Sequence, residues 1–266
     1  MTLVDTHCHL DFHSYDDIRA DVIREAAEAG VTRIINPGTD LERCHKALRI
    51  AEQYPNVYAA VGIHPTDTAD FDQATLDEVR AMAAHEKVLA IGEIGLDYHW
   101  DTSPKAAQWR ALKAQLALAA ELELPVIIHN REAGDDVLRI LAEWAGRLPA
   151  ALQGRAGVLH SFSAPWSVAE RALELGFYIG FTGPVTFKNA GALRRVAAHV
   201  PVDRILVETD GPFLTPEPFR GRRPNRPAYV RHIAERLAAL HEMPPADFFA
   251  QTTANAERLF RLPPVR

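Results

Sequence analysis

Two histidines separated by one residue, His7 and His9, end the opening run Leu3-Val4-Asp5-Thr6-His7-Cys8-His9. In an extended strand alternate side chains share a face, so Asp5, His7 and His9 point one way and Cys8 the other. Paired imidazoles on one face are half of a metal site, and alone they could equally be two surface histidines. The chain offers partners. Glu93 lies in Ile91-Gly92-Glu93-Ile94, His129 follows Val126-Ile127-Ile128, His160 follows Gly157-Val158-Leu159, and Asp210 closes Val207-Glu208-Thr209-Asp210. Each is expected at the carboxyl end of an apolar strand. Taken singly, any of them could be a hydrogen-bonded core histidine or a helix cap. Four imidazoles and two carboxylates together are too many for one tetrahedral ion, and suit two ions bridged by a carboxylate. That donor set belongs to a two-metal hydrolase.

For these groups to meet, the elements carrying them must converge. Short apolar runs at 3–9, 33–37, 57–64, 88–94, 126–130, 157–162, 177–182 and 204–210 read as strands. Most are continuous, like Val57-Tyr58-Ala59-Ala60-Val61, as expected of strands covered on both faces. Helices are expected near 16–29, 74–85, 134–146, 165–175, 189–199, 226–241 and 245–260. Thr39-x-x-Glu42 reads as a capping box opening another, in which Leu41, Cys44, Leu48 and Ala51 form the buried face. Ser103-Pro104 reads as an N-cap with proline at the first helical position, followed by the stripe Trp109, Leu112, Leu116 and Ala119. Eight strands, each followed by a helix, make up a TIM (β/α)8 barrel, with 245–260 as one extra closing element. An open doubly wound sheet is the alternative, since alternation alone does not separate the two. With no linker or composition break, one domain is expected over 1–266. In a barrel all carboxyl ends converge on one rim, where the six groups would meet.

Other polar residues take places around them. His64, in Gly62-Ile63-His64-Pro65, ends the third strand and is expected beside the ligands or against substrate. Asp5 lies deeper on the inward face, placed to accept the free ring N–H of a ligating histidine. Glu208 sits similarly beneath Asp210, or belongs to a buried ion pair. His13, His45, His85, His99, His199, His232 and His241 fall in loops or on helices and are expected at the surface.

The 266 residues are 47% hydrophobic and 24% charged, with a formal net charge of -6. That balance argues against a protein that coats nucleic acid, which needs many phosphate-neutralising cations, but allows a local basic patch. Arg220, Arg222, Arg223 and Arg226 form such a patch unless they are simply a solvated loop. Arg131 follows His129, Lys188 follows the seventh strand, and Phe162, Phe187 or Phe219 could offer faces for base stacking. No signal peptide and no apolar run of roughly 18 residues is evident, and two cysteines make no disulfide framework. A reduced, cytoplasmic monomer without membrane association is expected.

The ordered motifs Asp5-Thr6-His7-Cys8-His9-Leu10-Asp11-Phe12, Gly62-Ile63-His64-Pro65, Ile91-Gly92-Glu93-Ile94-Gly95-Leu96-Asp97-Tyr98, Pro125-Val126-Ile127-Ile128-His129, His160-Ser161-Phe162-Ser163, Gly180-Phe181-Thr182-Gly183 and Glu208-Thr209-Asp210-Gly211-Pro212-Phe213-Leu214 resemble the TatD family of metal-dependent deoxyribonucleases. These belong to the amidohydrolase-like barrels, and the likeness runs along nearly the whole chain. It implies that His7, His9, Glu93 and Asp210 hold one divalent ion, and Glu93, His129 and His160 a second, with Glu93 bridging. Strand four offers no lysine of the kind that, carboxylated, bridges in many related hydrolases. The resemblance implies Mg or Mn in turnover. Imidazole-rich ligation favours Zn, Mn or Co, so Zn is expected in the isolated protein.

The activity so implied is hydrolysis of DNA phosphodiesters, as a 3′-5′ exonuclease. A basic lip on one side of a cleft suits a single-stranded end. Asp210 would orient the attacking water and take its proton, while His64 and the arginines offset charge at phosphorus. The same barrel could instead hydrolyse an ester, lactone or aminoacyl-tRNA linkage, or bind nucleic acid without catalysis. Two departures stand out. Ala164 replaces the family's Gly after His-Ser-Phe-Ser. The loop Arg220-Gly221-Arg222-Arg223-Pro224-Asn225-Arg226-Pro227 has one extra residue, and Arg226 where Glu is usual. The second bears on substrate preference rather than on metal binding.

Overall fold

The computed structural model describes residues 2–100 and 102–263. Among them, eight strands form one parallel sheet paired in chain order. They are β1 (Leu3–Asp5), β2 (Val31–Pro37), β3 (Val57–Val61), β4 (Val88–Asp97), β5 (Val126–Arg131), β6 (Gly157–Leu159), β7 (Tyr178–Phe181) and β8 (Ile205–Val207). The intervening helices are α1 (Arg19–Glu28), α2 (Leu41–Gln53), α3 (Gln73–Ala83), α4 (Lys105–Glu121), α5 (Gly134–Ala145), α6 (Trp166–Glu174), α7 (Gly191–His199) and α8 (Val230–Leu240), and α9 (Pro245–Phe260) follows. The sheet curls until its first and last strands meet just past their ladders. There Cys8 and Gly211 form a parallel bridge, Thr6 N–H donates to the Val207 carbonyl, and Asp210 N–H donates to that of His7. This is the TIM barrel, and the open-sheet alternative falls.

Side-chain alternation divides the core in two. Outward residues such as Ile34, Val61, Ile91, Ile128 and Ile179 pack against the helices. Inward residues Val4, Ile35, Ala60, Ala90, Ile127, Val158 and Leu206 fill the barrel. Ala256, Leu259 and Phe260 of α9 join this inner cluster. Asn255 of α9 donates to the carbonyls of Val202 and Ile205, and Thr253 donates to that of Thr2, all at strand starts. Helix α9 therefore plugs the amino-terminal end, leaving the carboxyl rim as the open face.

Several local expectations shift. Strand β4 continues to Asp97, so Glu93 lies within a strand rather than at its end. Asp40, not Thr39, caps α2, accepting from Arg43 N–H at 2.8 Å. The Thr39 carbonyl instead accepts His64 N–H, which fixes it to the next strand's loop. Helix α4 has Pro104 at its cap position and no side-chain cap. Ser103 is drawn into a tertiary contact, donating to the Thr66 carbonyl and accepting from Thr68 N–H. On that helix Leu112, Leu116 and Ala119 are buried but Trp109 is only partly so, its indole N–H donating to the Tyr98 hydroxyl.

Candidate metal centre

All six expected donors meet at the carboxyl rim. His7 and His9 follow β1, Glu93 and His129 belong to β4 and β5, His160 follows β6, and Asp210 follows β8. Asp210 adopts a left-handed backbone, φ 52°, one of the few conformations in which Asp substitutes for Gly at modest cost.

Glu93 stands at the middle, and its two oxygens face different neighbours. Oε2 lies 3.2 Å from His7 Nε2 and 3.6 Å from His9 Nε2. Asp210 Oδ1 completes that side, 3.9 Å from His7 Nε2 and 3.5 Å from His9 Nε2. Oε1 lies 2.8 Å from His129 Nδ1, 3.2 Å from His160 Nε2 and 3.6 Å from His64 Nε2. Three sets of donor atoms fall within 4.8 Å of one another: His7, His9 and Glu93; His7, His160 and Asp210; and His64, Glu93 and His129. His160 is thus within reach of both sides, and His64 is closer to the donors than a residue merely lining the cleft. The Nε2 atoms of His7 and His9 approach to 3.2 Å. Two imidazole lone pairs beside a carboxylate form a donor set that suits a borderline divalent cation.

Around the donors a ring of acceptors fixes the imidazoles. The Pro37 carbonyl lies 3.1 Å from His9 Nδ1, and Asp97 Oδ2 lies 2.9 Å from His129 Nε2. Glu208 Oε2 lies 3.4 Å from His160 Nδ1 and accepts Ser161 N–H at 3.0 Å. Glu208 therefore stands behind His160 rather than beneath Asp210. Gly180 makes the room, since a Cβ there would sit 2.3 Å from Glu208 Oε1. Asp5 does not hold a histidine ring. It accepts from Thr209 N–H and Oγ1–H and from the His7 backbone, so it ties β1 to the segment after β8, while His7 Nδ1 has no partner among the described residues. Asp97 escaped the sequence reading, although its spacing from Glu93 places both on one face.

Electrostatics keep the two carboxylates of the centre ionised. Burial opposes charge on Glu93, but His160, His7 and bonds from His129 and His160 hold its carboxyl well below the usual range. Asp210 is also lowered, as His9, His160 and His7 outweigh its burial. Burial and His129 bring His64 down to about 3, which disfavours the cation, and its Nδ1 accepts Thr66 N–H at 3.3 Å. Thr66 Oγ1 lies 2.5 Å from its Nδ1. Burial pushes the Cys44 thiol up to about 12 and the Cys8 thiol well above its ordinary value, so both are inert core groups.

The centre forms the floor of a cavity of about 870 Å³. Arg131, Phe162 and, from the basic patch, Arg223 line it; so do Arg43, Trp100 and Phe213, to which the sequence reading gave no role. Arg220 and Arg222 are exposed beyond its lining, with their guanidinium groups over Phe187 and Phe219 at 4.1 and 5.1 Å. Phe219 in turn stacks on Tyr229. Arg226 turns away altogether and pairs with Glu25 of α1.

An eight-stranded barrel with this donor set on its carboxyl rim is the architecture of a metal-dependent hydrolase. The chain belongs to the TatD-related DNase family, whose model matches residues 4–261. It is 45% identical over 260 residues to the uncharacterised metal-dependent hydrolase YabD of Bacillus subtilis strain 168, covering 98% of this chain and 99% of that one. It is 39% identical over 244 residues to the 3′-5′ ssDNA/RNA exonuclease TatD of Citrobacter rodentium, covering 90% of each. The crystal structure of YJJV, a TatD homologue from Escherichia coli K12, superposes with a TM-score of 0.90 at 35% identity, covering 98% of both chains. No helix among the described residues is long and apolar enough to cross a membrane.

Proposed function

We propose that this protein is a metal-dependent exonuclease that hydrolyses DNA phosphodiesters from single-stranded 3′ ends. The observation carrying this reading is the way Glu93 divides its oxygens, Oε2 toward His7 and His9 and Oε1 toward His129 and His160. His7, His9, Glu93 and Asp210 would hold one divalent ion, and Glu93, His129 and His160 the other, with Mg or Mn serving turnover and Zn retained on isolation. When bound, such ions polarise the phosphate and acidify a water. Asp210, ionised and partly open to the cavity, orients the attacking water and takes its proton. His64 donates from a neutral ring, and Arg131 and Arg223 supply positive charge to the phosphate-bearing strand. The relative named as an ssDNA/RNA exonuclease supports the substrate class, and the whole chain would act as one catalytic domain, a monomer in the cytoplasm.

The test is metal analysis of the purified protein together with assays on single-stranded DNA, duplex DNA and RNA in Mg, Mn and Zn. Shortening of single-stranded DNA from its 3′ end, abolished in a folded Glu93→Ala variant, is the expected result. Turnover of small esters or lactones with no cleavage of nucleic acid would overturn the reading, as would binding of DNA without cleavage.

A further inference from the structure

Among the described residues, two large apolar side chains are exposed: Trp100, 57% accessible, and Phe213, 37% accessible. Both line the cavity whose floor is the metal centre. Elsewhere large apolar groups are folded away, so this placement asks for a ligand with apolar faces. Trp100 lies in the segment after β4, and Phe213 in the segment after β8. In a ring of eight strands paired in order, the fourth and eighth face each other across the mouth. The two rings therefore rise from opposite sides, with Glu93 and its histidines below and between them.

Both walls are held in place. Asp97 Oδ1 accepts the backbone N–H groups of His99 and Trp100, each at 2.9 Å. Phe213 meets Phe12 edge to face at 5.2 Å, and the Arg43 guanidinium lies 4.0 Å over the other ring of that pair. Buried Asn225 donates to the Phe213 carbonyl and fixes the loop from behind. Arg43, Arg131 and Arg223 line the same cavity, an arginine-rich rim on a chain of net charge -6. Exposed aromatic faces combined with arginines are how proteins grip unpaired nucleotides, the faces stacking on bases and the cations following phosphates.

We propose that Trp100 and Phe213 form a two-sided stacking clamp for the unpaired bases flanking the scissile phosphate. This replaces Phe162, Phe187 and Phe219 as the stacking faces. Phe162 is buried, Phe187 is covered by Arg220, and Phe219 is stacked on Tyr229. In a duplex both faces of a base are already covered by its neighbours, so the clamp selects frayed or single-stranded ends. The inference rests on the phosphodiesterase reading above and adds to it the residues that choose the substrate.

Two substrates separate the possibilities: a single-stranded oligonucleotide, and the same strand made abasic at its last two 3′ positions. Stacking on each ring should contribute roughly 5- to 150-fold in KM. The unaltered enzyme should therefore show a raised KM for the abasic strand. Trp100→Ala and Phe213→Ala should each raise KM on the intact strand with a smaller change in kcat, and should lose much less on the abasic one. Trp100→Phe, which keeps a flat face, should recover most of the loss. Equal losses on both substrates, or no loss on either, would overturn the clamp while leaving the nuclease reading intact. Failure of the unaltered enzyme to cut either strand would overturn that reading, and the clamp with it.

Discussion

Asp97 grips His129 with one oxygen and the backbone amides of His99 and Trp100 with the other. Replacing it by Asn keeps the shape but removes the carboxylate that fixes the imidazole's tautomer. The expected result is a metal affinity weaker by about 10- to 100-fold at the position His129 serves, read by calorimetric titration with an unchanged circular dichroism spectrum. Unaltered affinity would deny Asp97 this role. Across the first strand, His7→Ala should lose one ion and most activity. Cys8→Ala should lose neither, because its thiol packs between Tyr15 and Gly211, away from both histidines. Metal counts on the two variants check this. The six donors were readable because period-two alternation and apolar flanks determine which way a strand residue points. The basic loop was readable only in part, because clustered positive charge says nothing about direction: Arg223 lines the cavity, but Arg226 found Glu25, and Arg220 and Arg222 found aromatic rings. Asp5 was expected on the inward face with the histidines, but Val4 takes that face and Asp5 turns outward to Thr209, a partner from a neighbouring segment that sequence spacing cannot reveal.

At the level of elements, β4 does the positioning. It holds Glu93 and Asp97 on one side and pairs closely with β5 beside His129. Gly95, at φ 158°, sits where a Cβ would lie 1.9 Å from the His129 carbonyl oxygen. Gly95→Ala must push the two strands apart, at a cost of roughly 3 kcal/mol or more. Urea unfolding should reveal the loss, and metal content should fall with it. A variant of ordinary stability and full metal content would contradict this account. The helix starts were the least legible features. Thr39 and Ser103 are held by loops distant in sequence, and those contacts outweighed the local capping pattern.

For the whole molecule, the barrel followed from alternation and length, whereas 245–260 was legible only as an extra closing element, and its place at the amino-terminal end shows only in the folded chain. The centre joins donors on or just after five separate strands, β1, β4, β5, β6 and β8. Bound ions would stabilise the native state alone, by about 2.7 kcal/mol at a hundredfold excess over Kd. For a chain of this size, chelation should lower the melting temperature by on the order of 5–10 °C, reversibly on adding metal back. An unchanged melting temperature after complete metal removal would count against the centre. The barrel's seam has a consequence in time as well. It is closed by contacts between residues about 200 positions apart, such as Asp210 N–H with the His7 carbonyl. During synthesis His7 and His9 leave the ribosome first, while Asp210 follows only after about four-fifths of the 266 residues. A nascent or prematurely terminated chain therefore carries an unfinished centre, and the ability to cut nucleic acid arrives only when the last strand docks against the first.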